Sequence, residues 1–235
     1  MSFAARMCAL EDAIAGACRQ VGRLRDEITL VAVSKTFPPE AVREAHAAGL
    51  REFGENRVQE LAEKAAALAD LDLHWHLVGS LQTNKAQRAA ELTSLIHSVD
   101  RAALVSSLAR ASAAGGTAGH ARIRVLIQVN TTDEPTKGGV APAALPALLD
   151  AVRAKSELEL AGLMTIGPTS AAETETRRAF ALLRRLRDDS SAAHPDLKLS
   201  VLSMGMSDDF AWAVAEGATH LRIGSRLFGG RHSPT

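Results

Sequence analysis

Apolar positions along this chain follow two alternating rhythms. Short apolar, β-branched runs are separated by longer Ala-, Leu-, Glu- and Arg-rich stretches of helical period. The strand-like runs fall at 29–34, 51–54, 73–78, 94–97, 122–129, 158–164, 199–202 and 220–223. They are about eight in number, the count a closed parallel barrel needs. Helices are predicted between them, among others over 39–48 before Gly49, 143–155, 172–189 and 208–216 before Gly217. Proline near a start and glycine just past an end are the expected punctuation. A further helix over residues 3–25 precedes the first strand. The fold class is therefore α/β: a single (β/α)8 TIM-type barrel with an extra N-terminal helix, residues 1–235 forming a single domain.

A doubly wound open sheet would share this rhythm but usually carries a Gly-rich phosphate turn after its first strand. Here that turn reads Ser34-Lys35-Thr36-Phe37-Pro38-Pro39, which favours the barrel. The one low-complexity patch, 111–119, is read as a Gly- and Ala-rich loop too short to separate domains.

Composition narrows the function classes. With 46% hydrophobic and 23% charged residues the chain is of ordinary globular type. Lys plus Arg and Asp plus Glu both number 27, which leaves no net charge to attract a nucleic-acid backbone or an anionic membrane, and neither partner is expected. Cys8 and Cys18 make neither a disulfide framework nor a metal site. The N-terminal residues reach Glu11 and Asp12 before any long apolar run, and no stretch is long enough to cross a bilayer. A cytoplasmic monomer is the expectation.

Three places carry candidate chemistry. Alternation along the first strand puts Val31, Val33 and Lys35 on one inward face, with Lys35 at the mouth where such barrels place their sites. Burial there disfavours an ammonium and leaves more free amine to condense with an aldehyde; the plainer alternative is a strand-end lysine paired or in solvent. The run Leu202-Ser203-Met204-Gly205-Met206-Ser207-Asp208-Asp209 follows the seventh strand, with Ser207 read as the N-cap of the next helix. The run Arg222-Ile223-Gly224-Ser225 ends the eighth. Loops after strands seven and eight of a barrel often hold a phosphate.

These blocks resemble the pyridoxal-phosphate homeostasis protein family, whose barrel is similar to the N-terminal domain of alanine racemase. The matches run in order over most of the chain: Val31 to Lys35, Phe53 to Asn56 with Gln59 and Glu60, His76 to Gln82 with Asn84 and Lys85, His97 to Asp100, Val129-Asn130 with Lys137 and Gly139, Gly162 to Met164, Leu202 to Ser207 with Asp209, and Arg222 to Gly224 with Phe228-Gly229. The resemblance implies pyridoxal 5′-phosphate as cofactor, held as a Schiff base on Lys35. It also implies a phosphate site at Ser203 with the backbone of Gly224 and Ser225, Arg222 facing the pyridine nitrogen, and Asn56 and His76 lining the same pocket. Met164 is read as barrel packing, Trp75 and Trp212 as core or helix packing, and Lys137 as a surface-loop lysine. Gly167 and Ser225 depart from the family pattern without threatening cofactor binding.

A protonated pyridine nitrogen strengthens the cofactor as an electron sink, and an arginine opposite it has no proton-accepting role and leaves it neutral. Alanine racemases also take a second acid/base from a tyrosine, and this chain contains no tyrosine. The expected function is thus a protein that buffers or delivers pyridoxal phosphate, without robust turnover and with no catalytic residue. Apo forms of pyridoxal-phosphate enzymes are its expected recipients. The alternative is a racemase-like enzyme, for which His76 is the one placed candidate as second base.

Overall fold

In the computed structural model, which describes residues 1–113, 115, 121–132, 134, 136–169 and 172–230, the eight runs form parallel strands. They are β1 (Thr29–Val33), β2 (Glu52–Glu55), β3 (His74–Leu77), β4 (Leu95–Val99), β5 (Ile123–Gln128), β6 (Leu158–Met164), β7 (Val201–Ser203) and β8 (His220–Ile223). Each pairs with its sequence neighbour, and β8 pairs with β1 through Thr29↔His220 to Ala32↔Ile223, closing the barrel. The helices are α1 (Phe3–Gln20), α2 (Pro39–Ala47), α3 (Val58–Ala67), α4 (Ala86–Leu92), α5 (Ala102–Ala113), α6 (Leu145–Arg153), α7 (Glu173–Ala193), α8 (Phe210–Ala215) and α9 (Ser225–Phe228).

Where boundaries differ from the sequence reading, a local cause is visible. The first helix stops at Gln20, not Arg25, because Gly22 enters the left-handed region (φ 69°) and residues 25–27 form a separate 3₁₀ turn. The patch 111–119 begins inside α5, which runs to Ala113; its residues 114 and 116–119 lie outside the described residues. The helix expected over 208–216 starts at Phe210, and Ser207 does not cap it: its hydroxyl accepts from Ser225 Oγ (2.9 Å) and from the Arg226 amide (3.4 Å). Asp209 stands at the cap position instead, and its carboxylate accepts from the Met206 amide.

Two cores divide the strand faces. Outward residues such as Leu30, Ala32, Phe53, Leu77, Ile96, Ile127 and Leu163 pack under the helices, together with Phe180 and Leu183 of α7. Trp75 joins this core beside Phe53, with ring centroids 5.9 Å apart, while Trp212 is half-buried on α8. Inside the barrel, Leu95, Leu126, Ala161, Met164 and Val201 form a separate apolar cluster on the β4–β7 side. The rest of the interior mixes Val31 and Val33 of β1 with buried polar side chains such as His76, His97, Ser203 and Arg222. Helix α1 packs on α8 and α9, where Arg6 donates to the carbonyls of Leu227 (2.8 Å) and Phe228 (3.2 Å). Phe228 stacks between Phe3 and Phe37, so the extra helix braces the loops after β8.

Candidate functional site

A cavity of about 300 Å³ opens at the C-terminal ends of the strands. Its walls come from Val33, Lys35, Phe37, Asn56, Val78, Ile166, Met206, Ser207, Asp208, Arg222, Gly224, Ser225 and Gly229. Lys35, Asn56, Arg222, Gly224 and Ser225 are therefore brought together. His76 and Ser203 are not.

Lys35 lies in the turn just past β1 and is half-buried. Among the described residues its amine has no hydrogen-bond or ion-pair partner. The backbone around it is clamped from below. Lys64, buried on α3, donates to the Ser34 carbonyl (2.7 Å), Glu55 Oε1 (2.6 Å) and Glu60 Oε1 (2.8 Å). Ser34 Oγ donates to the same Glu55 oxygen at 2.7 Å, and Glu60 accepts the Thr36 amide at 2.6 Å. Burial pushes the Glu55 carboxyl up, against the pull of Lys64 and Ser34. Thr36 sits at φ 69°, a conformation that a β-branched residue adopts only under constraint. The clamp thus fixes both neighbours of Lys35 and aims its side chain over the barrel mouth.

Arg222 forms the floor. It is buried, and NH1 donates to Ser203 Oγ (2.7 Å) while NH2 donates to the Thr165 carbonyl (2.8 Å). Among the described residues no carboxylate forms an ion pair with it, and burial lowers its pKa to about 10. A buried cation with no carboxylate in contact with it, standing beside a cavity, favours an electron-rich ligand there.

The loops after β7 and β8 meet over this floor. Gly205 turns the first of them at φ 93°, and a Cβ there would stand 2.5 Å from Ala213 Cβ. That turn carries Ser207 up to Ser225, so two hydroxyls flank the cavity. Asn56 is held by the close approach of Gly79, whose Cβ would fall 2.2 Å from the Asn56 carbonyl oxygen.

Ser203 stands one barrel layer lower, paired in register with His220, and is fully buried between Arg222 and His97. His76 lies near the opposite end of the barrel, at a cavity of about 340 Å³ lined by Thr29, Glu52, His74, Ser94, Leu95, Arg124 and His220, all near strand starts. The family resemblance pointed to Ser203 for the phosphate, yet the hydroxyl that lines the mouth is that of Ser207, four residues on. The signal was present in the Gly205 between two serines. Lys137 donates to the Gly167 carbonyl at 2.8 Å and ties the loop after β5 to the loop after β6. Cys8 is exposed and Cys18 buried, both on α1.

Comparison with known proteins places this arrangement in a family. The family model for the alanine racemase N-terminal domain matches residues 11–232. A pyridoxal phosphate homeostasis protein of Pseudomonas aeruginosa is 47% identical over 92% of this chain and 90% of its own length. The chain belongs to the pyridoxal phosphate homeostasis protein family. A second member, from Aquifex aeolicus, is 41% identical over 98% of this chain and 99% of its own. Among solved structures, PipY of Synechococcus elongatus with pyridoxal phosphate bound superposes with a TM-score of 0.85 at 41% identity, covering 97% of this chain and all of that one. Family membership rests on near full-length matches, so the barrel, helix α1 and both loops over the cavity fall within the shared region. Among the described residues no helix is long and apolar enough to cross a membrane.

Proposed function

We propose that this chain binds pyridoxal 5′-phosphate in the cavity at the C-terminal ends of the strands and holds it for release to other proteins. One observation carries the reading: the amine of Lys35, without a hydrogen-bond or ion-pair partner among the described residues, shares a small cavity with the buried guanidinium of Arg222, which no carboxylate among them contacts, and with the hydroxyls of Ser207 and Ser225. An aldehyde, a heteroaromatic nitrogen and a phosphate on one small molecule match those three features. A family member solved with pyridoxal phosphate bound supports the same choice.

In this reading Lys35 attacks the aldehyde carbon, the new bond runs from Nζ to that carbon, and the carbonyl oxygen leaves as water, giving a Schiff base. Arg222, which only donates, faces the pyridine nitrogen and has no proton-accepting role there. Ser207, Ser225 and the backbone at Gly224 take the phosphate, with Asn56 on the wall. When bound, the cofactor supplies an electron sink, and a neutral pyridine weakens it. Ser207→Ala is expected to weaken retention in equilibrium dialysis by about 1.5–3 kcal/mol, the worth of one hydrogen bond to a charged group. Unchanged affinity would move the phosphate elsewhere.

Storage and delivery are favoured over racemisation by the second base. Two-base chemistry needs an acid/base on each face of the substrate carbon, within hydrogen-bond reach. Lys35 supplies one. The chain has no tyrosine, and His76 lies near the other end of the barrel with Glu52 and His97. Incubation of the loaded protein with L-alanine in deuterated water is expected to show α-exchange far below about 1 s⁻¹, the lower end of ordinary enzyme turnover. Sustained turnover at that rate would establish an enzyme. Delivery is tested by mixing the loaded protein with the apo form of a pyridoxal-phosphate enzyme and following recovery of activity; recovery no faster than with free cofactor would leave storage alone.

A further inference from the structure

His76 and Ser203, absent from the cavity, belong to a line of hydrogen bonds that crosses the barrel interior. Glu52 Oε2 meets His76 Nε2 at 2.6 Å, His76 Nδ1 meets His97 Nε2 at 2.8 Å, and His97 Nδ1 meets Ser203 Oγ at 2.9 Å. Arg222 NH1 then donates to Ser203 Oγ at 2.7 Å. The line joins the carboxylate at one end of the barrel to the guanidinium beneath the cavity at the other.

Its polarity is set from both ends. A guanidinium only donates, so Ser203 Oγ accepts from Arg222 and keeps its own proton to give. A carboxylate only accepts, so His76 carries its proton on Nε2. With neutral rings, His76 Nδ1 accepts from His97 Nε2–H, and His97 Nδ1 accepts from the Ser203 hydroxyl. All four bonds then point the same way, from cation to anion, and bonds aligned in a chain strengthen one another. The reverse arrangement does not close. A second proton on His76 would turn His97 round, so that Ser203 Oγ received two N–H donors while its own proton had no acceptor among the described residues.

The surroundings favour the first arrangement. Burial first, and the charge of Arg222 beside it, keep His97 well below the usual imidazole range. His220, whose ring stands 6.3 Å from His76 and 6.4 Å from His97, is pushed down by burial to about 4. Burial pushes Glu52 up, but the hydrogen bonds from His76 and His74 outweigh it and bring its pKa to about 2. Arg124 and His74 are the other charged or titratable groups at that mouth, and Asp209 acts on Arg222 from the opposite side.

We propose that Glu52 is the counter-charge of Arg222, and that His76, His97 and Ser203 are positioning residues that connect the two and keep the guanidinium aimed into the cavity. For the bound cofactor the inference rests on the reading of the cavity given above.

Two measurements test it. Imidazole ¹⁵N spectra of the apoprotein at pH 7 are expected to show His76 and His97 both protonated at Nε2 alone; His97 protonated at Nδ1, or a doubly protonated His76, overturns the proposal whatever the cavity binds. The second is a double-mutant cycle read by dialysis of pyridoxal phosphate. Glu52→Gln should weaken binding by about fivefold in the wild-type background and have no further effect when Ser203→Ala has cut the line. Charge acting through space predicts the opposite sign, because removing a negative charge from behind an anion site tightens binding in both backgrounds. Tighter or unchanged binding, or an equal loss with and without Ser203, overturns the proposal. A wild-type protein that takes up no pyridoxal phosphate refutes the cavity reading instead, and the tautomers still decide the line.

Discussion

Borohydride reduction of the protein loaded with pyridoxal phosphate is expected to fix the label on the peptide carrying Lys35, and Lys35→Ala is expected to abolish both the label and the visible absorbance band. The expectation follows from which amines have a partner and which do not. Lys64 is buried and shared between two carboxylates and a carbonyl, and Lys137 is engaged with the Gly167 carbonyl. Lys35 alone lines the cavity, with no hydrogen-bond or ion-pair partner among the described residues. Its backbone is held on both sides, so the freedom lost on forming the bond is that of the side chain alone. Loss of the covalent link should be complete, whereas some binding through the phosphate loops survives, because Ser207 and Ser225 are untouched by the substitution. Peptide mapping after reduction decides the matter, and a label on another lysine would sink the assignment.

Lys64→Ala is expected to cost about 3–5 kcal/mol of stability at neutral pH, the usual consequence of leaving buried charge uncompensated. For a chain of this size that lowers the midpoint of thermal unfolding by about 10 °C. The loss should depend on pH with a definite sign. The Glu55 carboxyl is already raised in the folded protein by burial, and removing Lys64 takes away the group that holds it down. A raised carboxyl favours the folded state where it is protonated, so its contribution is present on the acid side and is lost as pH rises through the folded value. The variant should therefore be nearest to wild type in mildly acidic buffer and furthest from it at pH 8. Scanning calorimetry across that range is the check. An equal deficit at every pH would mean that the lost alkyl packing of Lys64, and not its charge, is what matters.

The barrel itself was legible because its evidence is local and repeated. Eight short apolar runs separated by helical stretches leave few alternatives, and the missing Gly-rich turn after β1 favours the barrel over the open sheet. Lys35 was legible for a related reason: strand parity places Val31 and Val33 inward, and the Cβ direction of Gly54 lies within 3.1 and 3.3 Å of their side chains. The helix ends near Gly49 and Gly217 followed from residue chemistry alone, both glycines taking left-handed backbone (φ 98° and 92°).

What parity does not contain is depth along the barrel axis, and that is where the residues read from the sequence and the lining of the cavity part. Ser203 and Arg222 both point inward, but Ser203 is in register with His220, two residues before Arg222, so it lies beneath the guanidinium and not beside the cavity. His76 likewise points inward, from the third position of β3, but it lines the cavity at the starts of the neighbouring strands, where it meets Glu52 and His97 from strands on either side. The clamp on Lys35 was illegible for another reason: Glu55, Glu60 and Lys64 look like ordinary helix and strand-end charges until α3 folds back over β1. Hydrophobic period and residue chemistry, both short-range, determined from sequence alone that this is a barrel with a lysine at its mouth. Only the tertiary structure, through the stagger between neighbouring strands, decided which polar side chains share a layer with that lysine and which lie in the interior below it.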